Sequence, residues 1–133
     1  LISEEVYEET VTEGKRRLYR DAFEIEQFIK GGKICVRRAG QQTARLNLGK
    51  GELSTWQLWK KTKAICIITD DQKFISFLDV EEAPFLVPTE FIVALVIGKK
   101  ISKKEGVEAL NNVKEFVRKE NYESAQTALE SVV

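Results

Sequence analysis

Four carboxylates stand where metal-assisted chemistry could use them. Glu52 opens a helical stretch, Asp70 and Asp71 follow directly on the apolar run Ile67-Ile68, and Glu90 comes just after Leu86-Val87. Histidine is absent from all 133 residues. That removes Ser–His–Asp and Cys–His catalysis together with every His-ligated metal. Carboxylates holding a hard cation such as Mg²⁺ or Mn²⁺ remain, with a lysine or cysteine nucleophile as the other route. Such an ion would acidify a bound water and offset charge on an attacked phosphate.

Each acid also has a plainer use. Aspartate favours N-caps and first turns of helices for reasons of hydrogen bonding and dipole alone. Glu52 shares a helical face with Trp56 and Trp59, at i, i+4 and i+7. An acid on an apolar face is costly to bury unless a cation or basic group meets it. Alternatively, it bends out to water as an ordinary first-turn glutamate. Cys35 and Cys66 lie in short β-branched runs and read as small buried hydrophobes, not as a disulfide or, without histidine, a zinc site.

The bulk properties are those of a soluble globular chain of one domain, with 43% hydrophobic and 32% charged residues. Twenty-one basic residues balance twenty-one acidic ones, so any nucleic-acid-binding face must be local. Arg37, Arg38, Arg45, Lys50, Lys60, Lys61 and Lys63, with Trp56 and Trp59 interleaved, could make phosphate and base contacts. The same pattern also fits solvated lysines around core tryptophans. No apolar run approaches the length of a membrane span and no signal-peptide pattern is present, which points to the cytoplasm. The start at Leu1 and the lack of methionine point to upstream residues.

The elements that must position these acids alternate between strand and helix. Ser3 is an N-cap for a helix to about Thr12, and a second helix runs from about Lys15 with the stripe Leu18, Ala22, Ile25, Ile29 until Gly31-Gly32 stops it. Strands are expected at Lys33–Arg37, Ala64–Thr69 and Pro84–Val87, the second apolar on both faces like a central parallel strand. Helices are expected over Glu52–Lys61, after Asp71, and from Pro88-Thr89 through Phe91, Ile92, Leu95 and Val96. The apolar run Phe91–Ile97 could pair with a partner or bury in the core. Ser102-Lys103-Lys104-Glu105 is a capping box before the stripe Val107, Leu110, Val113, Val117, and Tyr122, Ala125 and Leu129 suit a last helix. Strands separated by helices imply a parallel sheet in an α/β sandwich.

Several segments resemble PIN-domain proteins. Leu46-Asn47-Leu48-Gly49-Lys50-Gly51-Glu52 is similar to the family's L-G-x-G-E segment, and Ile67-Ile68-Thr69-Asp70-Asp71-x-x-Phe74 to its strand-end T-x-D segment. Pro84–Thr89 and Ile101–Glu105 match further on, and Ile2–Glu9 resembles the segment after the family's second strand. The resemblance covers nearly the whole chain, taken as one PIN-like domain over 1–133 that is N-terminally incomplete.

The resemblance implies a three-layer α/β/α sandwich with parallel strand order 3-2-1-4-5, the first strands missing. It implies a metal-dependent endoribonuclease using Mg²⁺ or Mn²⁺ and leaving a 5′-phosphate and a 3′-hydroxyl. Glu52 would be the helix-borne acid and Asp71 the strand-end acid, with Asp70 as the alternative. Thr69, Lys50 and Arg45 would touch substrate, and Glu90 or Asp79 would be a fourth acid. RNA would be the substrate, and the family admits an antitoxin protein or a second copy as partner. The family's first-strand aspartate has no counterpart, so the fragment by itself is expected to be inactive. The competing reading is a PIN-like module that binds protein or RNA without cutting. A receiver-like domain fits less well, because the acidic pair comes too late in the chain.

Overall fold

Ser3 closes one element and opens the next. In the computed structural model, which describes residues 1–40 and 47–133, β1 (Ile2–Ser3) runs parallel to β2 (Val36–Arg37), with Ile2 opposite Val36 and Ser3 opposite Arg37. The Ser3 hydroxyl then accepts the Val6 N–H at 3.1 Å and caps α1 (Glu4–Tyr7), whose first turn carries Glu4 and Glu5. The N-cap expectation holds. The strand before it was not foreseen, because two residues are too few for an alternation to register.

Beyond α1 the helix loosens into a π turn (Glu8–Thr12) and continues as α2 (Glu13–Arg16). The chain then breaks at Leu18, which has φ +59°, and restarts as α3 (Arg20–Lys30). The break expected near Thr12 therefore falls about five residues later. Leu18, expected on the apolar stripe, is 80% exposed, while Ala22 is buried. A left-handed residue turns the chain, so helical spacing counted across it has no meaning. Gly14 fixes the crossing of α2 and α3, since a Cβ there would stand 2.7 Å from the Ala22 Cβ. Gly31 ends α3 and Gly32 follows at φ +74°, as the glycine pair led one to expect.

The helix α4 (Lys50–Lys61) buries Leu53, Ser54, Trp56 and Leu58 and packs on α1 and β1. A hydroxyl relay ties these elements. Ser54 donates to the Gly51 carbonyl at 2.8 Å, so its oxygen must accept from Ser3, 2.7 Å away, while Ser3 accepts from Val6. Both serines are fully buried and fully satisfied, which avoids the roughly 1–3 kcal/mol cost of an orphaned buried hydroxyl.

These elements form one compact unit, Leu1–Ile65; a second comprises Cys66–Val133. In the second, β3 (Ile67–Ile68) crosses over through α5 (Gln72–Val80) to the parallel β4 (Phe85–Leu86), with Ile67 opposite Phe85. Next come α6 (Pro88–Ile97), α7 (Lys103–Val113) and α8 (Lys119–Ser131). Val93, Val96, Leu110, Tyr122, Ala125 and Leu129 form their common core. Gly106 lets α7 approach α6, because a Cβ at that position would collide with Val96.

The α/β class and parallel pairing hold. Among the described residues, however, there are four two-residue strands in two separate ladders, not three strands of one sheet. The segment at 64–69 is not buried on both faces: Ile67 is 4% exposed, but Ile65 is 90% and Ile68 45%. Among the described residues β3 pairs with β4 alone, and its outward residues stay wet. Cys35 is likewise exposed instead of buried, Cys66 is half-buried, and both are free thiols. Of the expected stripe, Leu110 is buried and Val113 and Val117 pack against the core, while Val107 is exposed and Gly106 takes the buried place beside it. α8 buries Tyr122, Ala125 and Leu129 as expected.

Candidate functional site

Glu52 occupies the third position of α4, where its side chain can reach back over the helix start. Its Oε2 accepts the Gly49 N–H at 2.7 Å. That hydrogen bond satisfies an orphan donor of the first turn, and the helix dipole favours the negative charge there. The apolar face of the helix is carried by Trp56, which is 4% exposed, with Trp59 half-buried. Glu52 is therefore a first-turn cap that keeps one carboxylate oxygen, Oε1, outside this bond.

A second carboxylate lies at the same helix end. A Cβ built on Gly51 would stand 2.6 Å from Oε2 and 3.0 Å from Oε1 of Glu9, so the Glu9 carboxylate rests directly against the α4 backbone. Glu9 belongs to the π turn, a backbone feature found frequently at functional sites. One turn earlier, Oε2 of Glu5 is shut off from solvent. Sequence reasoning did not single out Glu9. The available signal was Gly51: a glycine in the first turn of an otherwise ordinary helix marks a place where something approaches the backbone closely.

In the second unit, Thr69, Asp70 and Asp71 follow β3, at the carboxyl edge where open parallel sheets take ligands. Thr69 is held in the ladder by its N–H to the Leu86 carbonyl at 3.1 Å. Its hydroxyl accepts the Asp71 N–H at 3.3 Å. Asp71 is the N-cap of α5, its Oδ1 accepting the Phe74 N–H at 2.9 Å. Asp70 and Asp71 are both exposed. The capping use and a metal-holding use are compatible, since Asp71 caps through one oxygen only.

The remaining candidates divide. Glu90 is exposed in the first turn of α6 and its Oε2 accepts the Val87 N–H at 3.0 Å, a capping role like that of Glu52. Asp79 is exposed near the end of α5. Lys50 is exposed at the first position of α4, and Arg45 lies outside the described residues. Much of the proposed basic tract is engaged in packing. Lys60 sits 3.6 Å over the Trp56 ring, Lys61 donates to the Ala39 carbonyl, and Arg38 approaches Glu4 at 3.9 Å.

Among the described residues, no three acids or cysteines are grouped closely enough to share one ion. Mg²⁺ does not require such a cage. It dehydrates reluctantly and commonly uses one or two carboxylates, with waters and substrate phosphate completing the shell. Glu9 and Glu52 at one helix end, and Asp70 with Asp71 at the β3 edge, are hard oxygen donors of that kind. The donor chemistry fits a hard divalent cation in each unit taken by itself.

No helix among the described residues is long and apolar enough to cross a membrane. Neither a curated protein nor a solved structure matches the chain. A family model described as a PIN domain does, over residues 1–79, a span that holds Glu9, Gly51, Glu52, Thr69, Asp70 and Asp71. With more than half its length matched, the chain belongs to the PIN-domain family, whose members are generally nucleases.

Proposed function

We propose that this protein is a metal-dependent endoribonuclease using Mg²⁺ or Mn²⁺, with Glu52 and Glu9 of the first unit and Asp71 and Asp70 of the second as its candidate metal ligands. The observation that carries the reading is the pair of carboxylates, Glu9 and Glu52, at the head of α4 inside a PIN-family chain. Two like charges at one helix end repel each other, and the helix dipole offsets only part of that cost. A divalent cation offsets the rest. When bound, the ion supplies electrostatic stabilisation of the phosphate and a more acidic water. Glu52 and Asp71 each keep one oxygen on a backbone N–H, which fixes the other oxygen in direction. Thr69 orients Asp71 through its N–H. Lys50 and Arg45 meet substrate phosphate in this reading.

The same reading takes the PIN sheet in the order 3-2-1-4-5 within a three-layer sandwich. A cytoplasmic location, the role of toxin in a toxin–antitoxin pair, and a homodimer also belong to it. Phe91 and Ile97, exposed on α6, are suited to a partner of either kind.

The test is cleavage of single-stranded RNA by the full-length protein with Mn²⁺, beside Glu52→Gln and Asp71→Asn. Each variant should lose activity by on the order of a hundredfold. Equal cleavage by all three proteins removes these residues from the site. A second reading, a PIN-like module that binds without cutting, is favoured by the lack of any three-acid group among the described residues. RNA binding without cleavage at any Mn²⁺ concentration would select it.

A further inference from the structure

The turn from α6 to α7 concentrates charge in a chain whose net charge is zero. Lys99, Lys100, Lys103 and Lys104 fall within six positions and all are exposed. Lys99 holds φ +54°, and the turn closes through Lys99 N–H to the Val96 carbonyl at 3.0 Å and Lys100 N–H to the Leu95 carbonyl at 2.8 Å. Glycine is the usual residue at such a left-handed helix end, so a lysine there is held against a steric preference.

The hydrogen bonds around the turn separate scaffold from surface. Lys103 is scaffold: its ammonium donates to the carbonyls of Glu130 at 3.2 Å and Val132 at 2.8 Å, satisfying the end of α8. Glu105, the acid of this stretch, is folded back onto the Ser102 N–H and hydroxyl, each at 2.7 Å. The ion pairs among the described residues involve none of Lys99, Lys100 and Lys104. Lys99 and Lys100 border an open groove of about 330 Å³ whose lining includes Val96, Ile101 and Val132, and Lys104 is exposed in the first turn of α7. Three uncommitted ammonium groups around one turn, two of them at the rim of a groove where the acid, Glu105, is engaged by Ser102, are suited to a polyanion that lies along the turn.

We propose that the α6–α7 turn is a docking site for the sugar–phosphate backbone of the RNA substrate, apart from the cut. The inference rests on the RNA-cleaving reading for its substrate class. Within the second unit, α6 begins just after β4 and ends at this turn. Its ten residues rise about 15 Å, so the turn lies about one helix length from the β4 end that starts α6. RNA several nucleotides long spans that distance and a dinucleotide does not.

The test combines Lys99→Gln, Lys100→Gln and Lys104→Gln in the full-length protein. Binding of a single-stranded RNA of about 12 nucleotides is measured in EDTA over a salt series, and cleavage of that RNA and of a dinucleotide is measured with Mn²⁺. The triple variant should bind at least tenfold more weakly, and its log affinity should fall with log salt less steeply, by about 2 for three lost phosphate contacts. KM for the long RNA should rise, with kcat and dinucleotide cleavage unchanged. A control triple, Lys73→Gln, Lys114→Gln and Lys119→Gln, removes the same charge elsewhere in the unit. Equal weakening by the control, or none by the turn variant, overturns the docking site and leaves the nuclease reading standing. Lysine-dependent binding of poly-glutamate as tight as that of RNA also overturns it, in favour of an acidic protein partner. Failure of the nuclease reading shows separately, as wild-type protein that does not cleave even the long RNA.

Discussion

The Glu9 carboxylate fills the space that a methyl group on Gly51 would need, with Oε2 2.6 Å from that Cβ position. An acid from the π turn is thereby brought against the backbone of Gly51, in the first turn of α4. Gly51→Ala should move Glu9 without unfolding the chain, because the end of a glutamate side chain can swing outward. Alanine is also favoured over glycine in a helix by roughly 0.5–1 kcal/mol. The expected outcome is unchanged or slightly raised thermal stability with RNA cleavage reduced at least about tenfold. Activity equal to wild type would show that the position of Glu9 does not matter to the reaction.

Capping and metal holding can be separated at Glu52 and Asp71. Glutamine and asparagine keep the oxygen that accepts from Gly49 or Phe74 but carry no charge. Denaturant midpoints of Glu52→Gln and Asp71→Asn should therefore stay near wild type while Mn²⁺ affinity falls. Glu52→Ala and Asp71→Ala should lose both, with a stability cost of about 1 kcal/mol for the Asp71 cap. A Glu52→Gln protein that binds Mn²⁺ as well as wild type would confine Glu52 to capping.

Removing one member of the buried hydroxyl relay strands the next. Ser54→Ala leaves the Ser3 O–H facing a methyl group, with no solvent to replace its partner. The expected destabilisation is about 1–3 kcal/mol in chemical denaturation. A loss below about 0.5 kcal/mol would mean that the Ser3 hydroxyl finds another acceptor.

Acid should weaken the start of α7. Hydrogen bonds from the Ser102 hydroxyl and then its N–H hold the Glu105 carboxyl below the ordinary carboxylate range. A folded value lower than the unfolded one adds stability that is complete above the ordinary carboxylate pKa and is lost as pH falls through the folded value. The stability gap between wild type and Ser102→Ala should thus be widest near neutral pH and shrink toward acid. A gap independent of pH would exclude the carboxylate from the effect.

The core of the three C-terminal helices depends on close packing. Leu129 is 1% exposed, and Leu129→Ala should cost about 2–5 kcal/mol. Gly106→Ala meets Val96 and should cost roughly 1–3 kcal/mol despite its better helix propensity. Calorimetry on the two variants checks both, and a Gly106→Ala protein as stable as wild type would mean that α6 and α7 can separate without loss.

What the sequence determined by itself was local. The Ser3 cap, the Ser102–Glu105 box, the glycine stop after α3, the apolar face of α8 and the α/β class with parallel strands were all legible, because each depends on residues within a turn or two. The acids at the starts of α4 and α5 were legible for the same reason, as was their capacity to cap. Tertiary structure decided what depends on distant partners. Only folding brings Glu9 to Gly51 and Ser3 to Ser54, since those contacts join elements some forty to fifty residues apart. The break at Leu18 lies between α2 and α3, which approach each other at Gly14 and Ala22, and the spacing of apolar residues did not show it. Periodicity specifies which residues can share a face; whether the face is covered depends on which element the chain later lays against it.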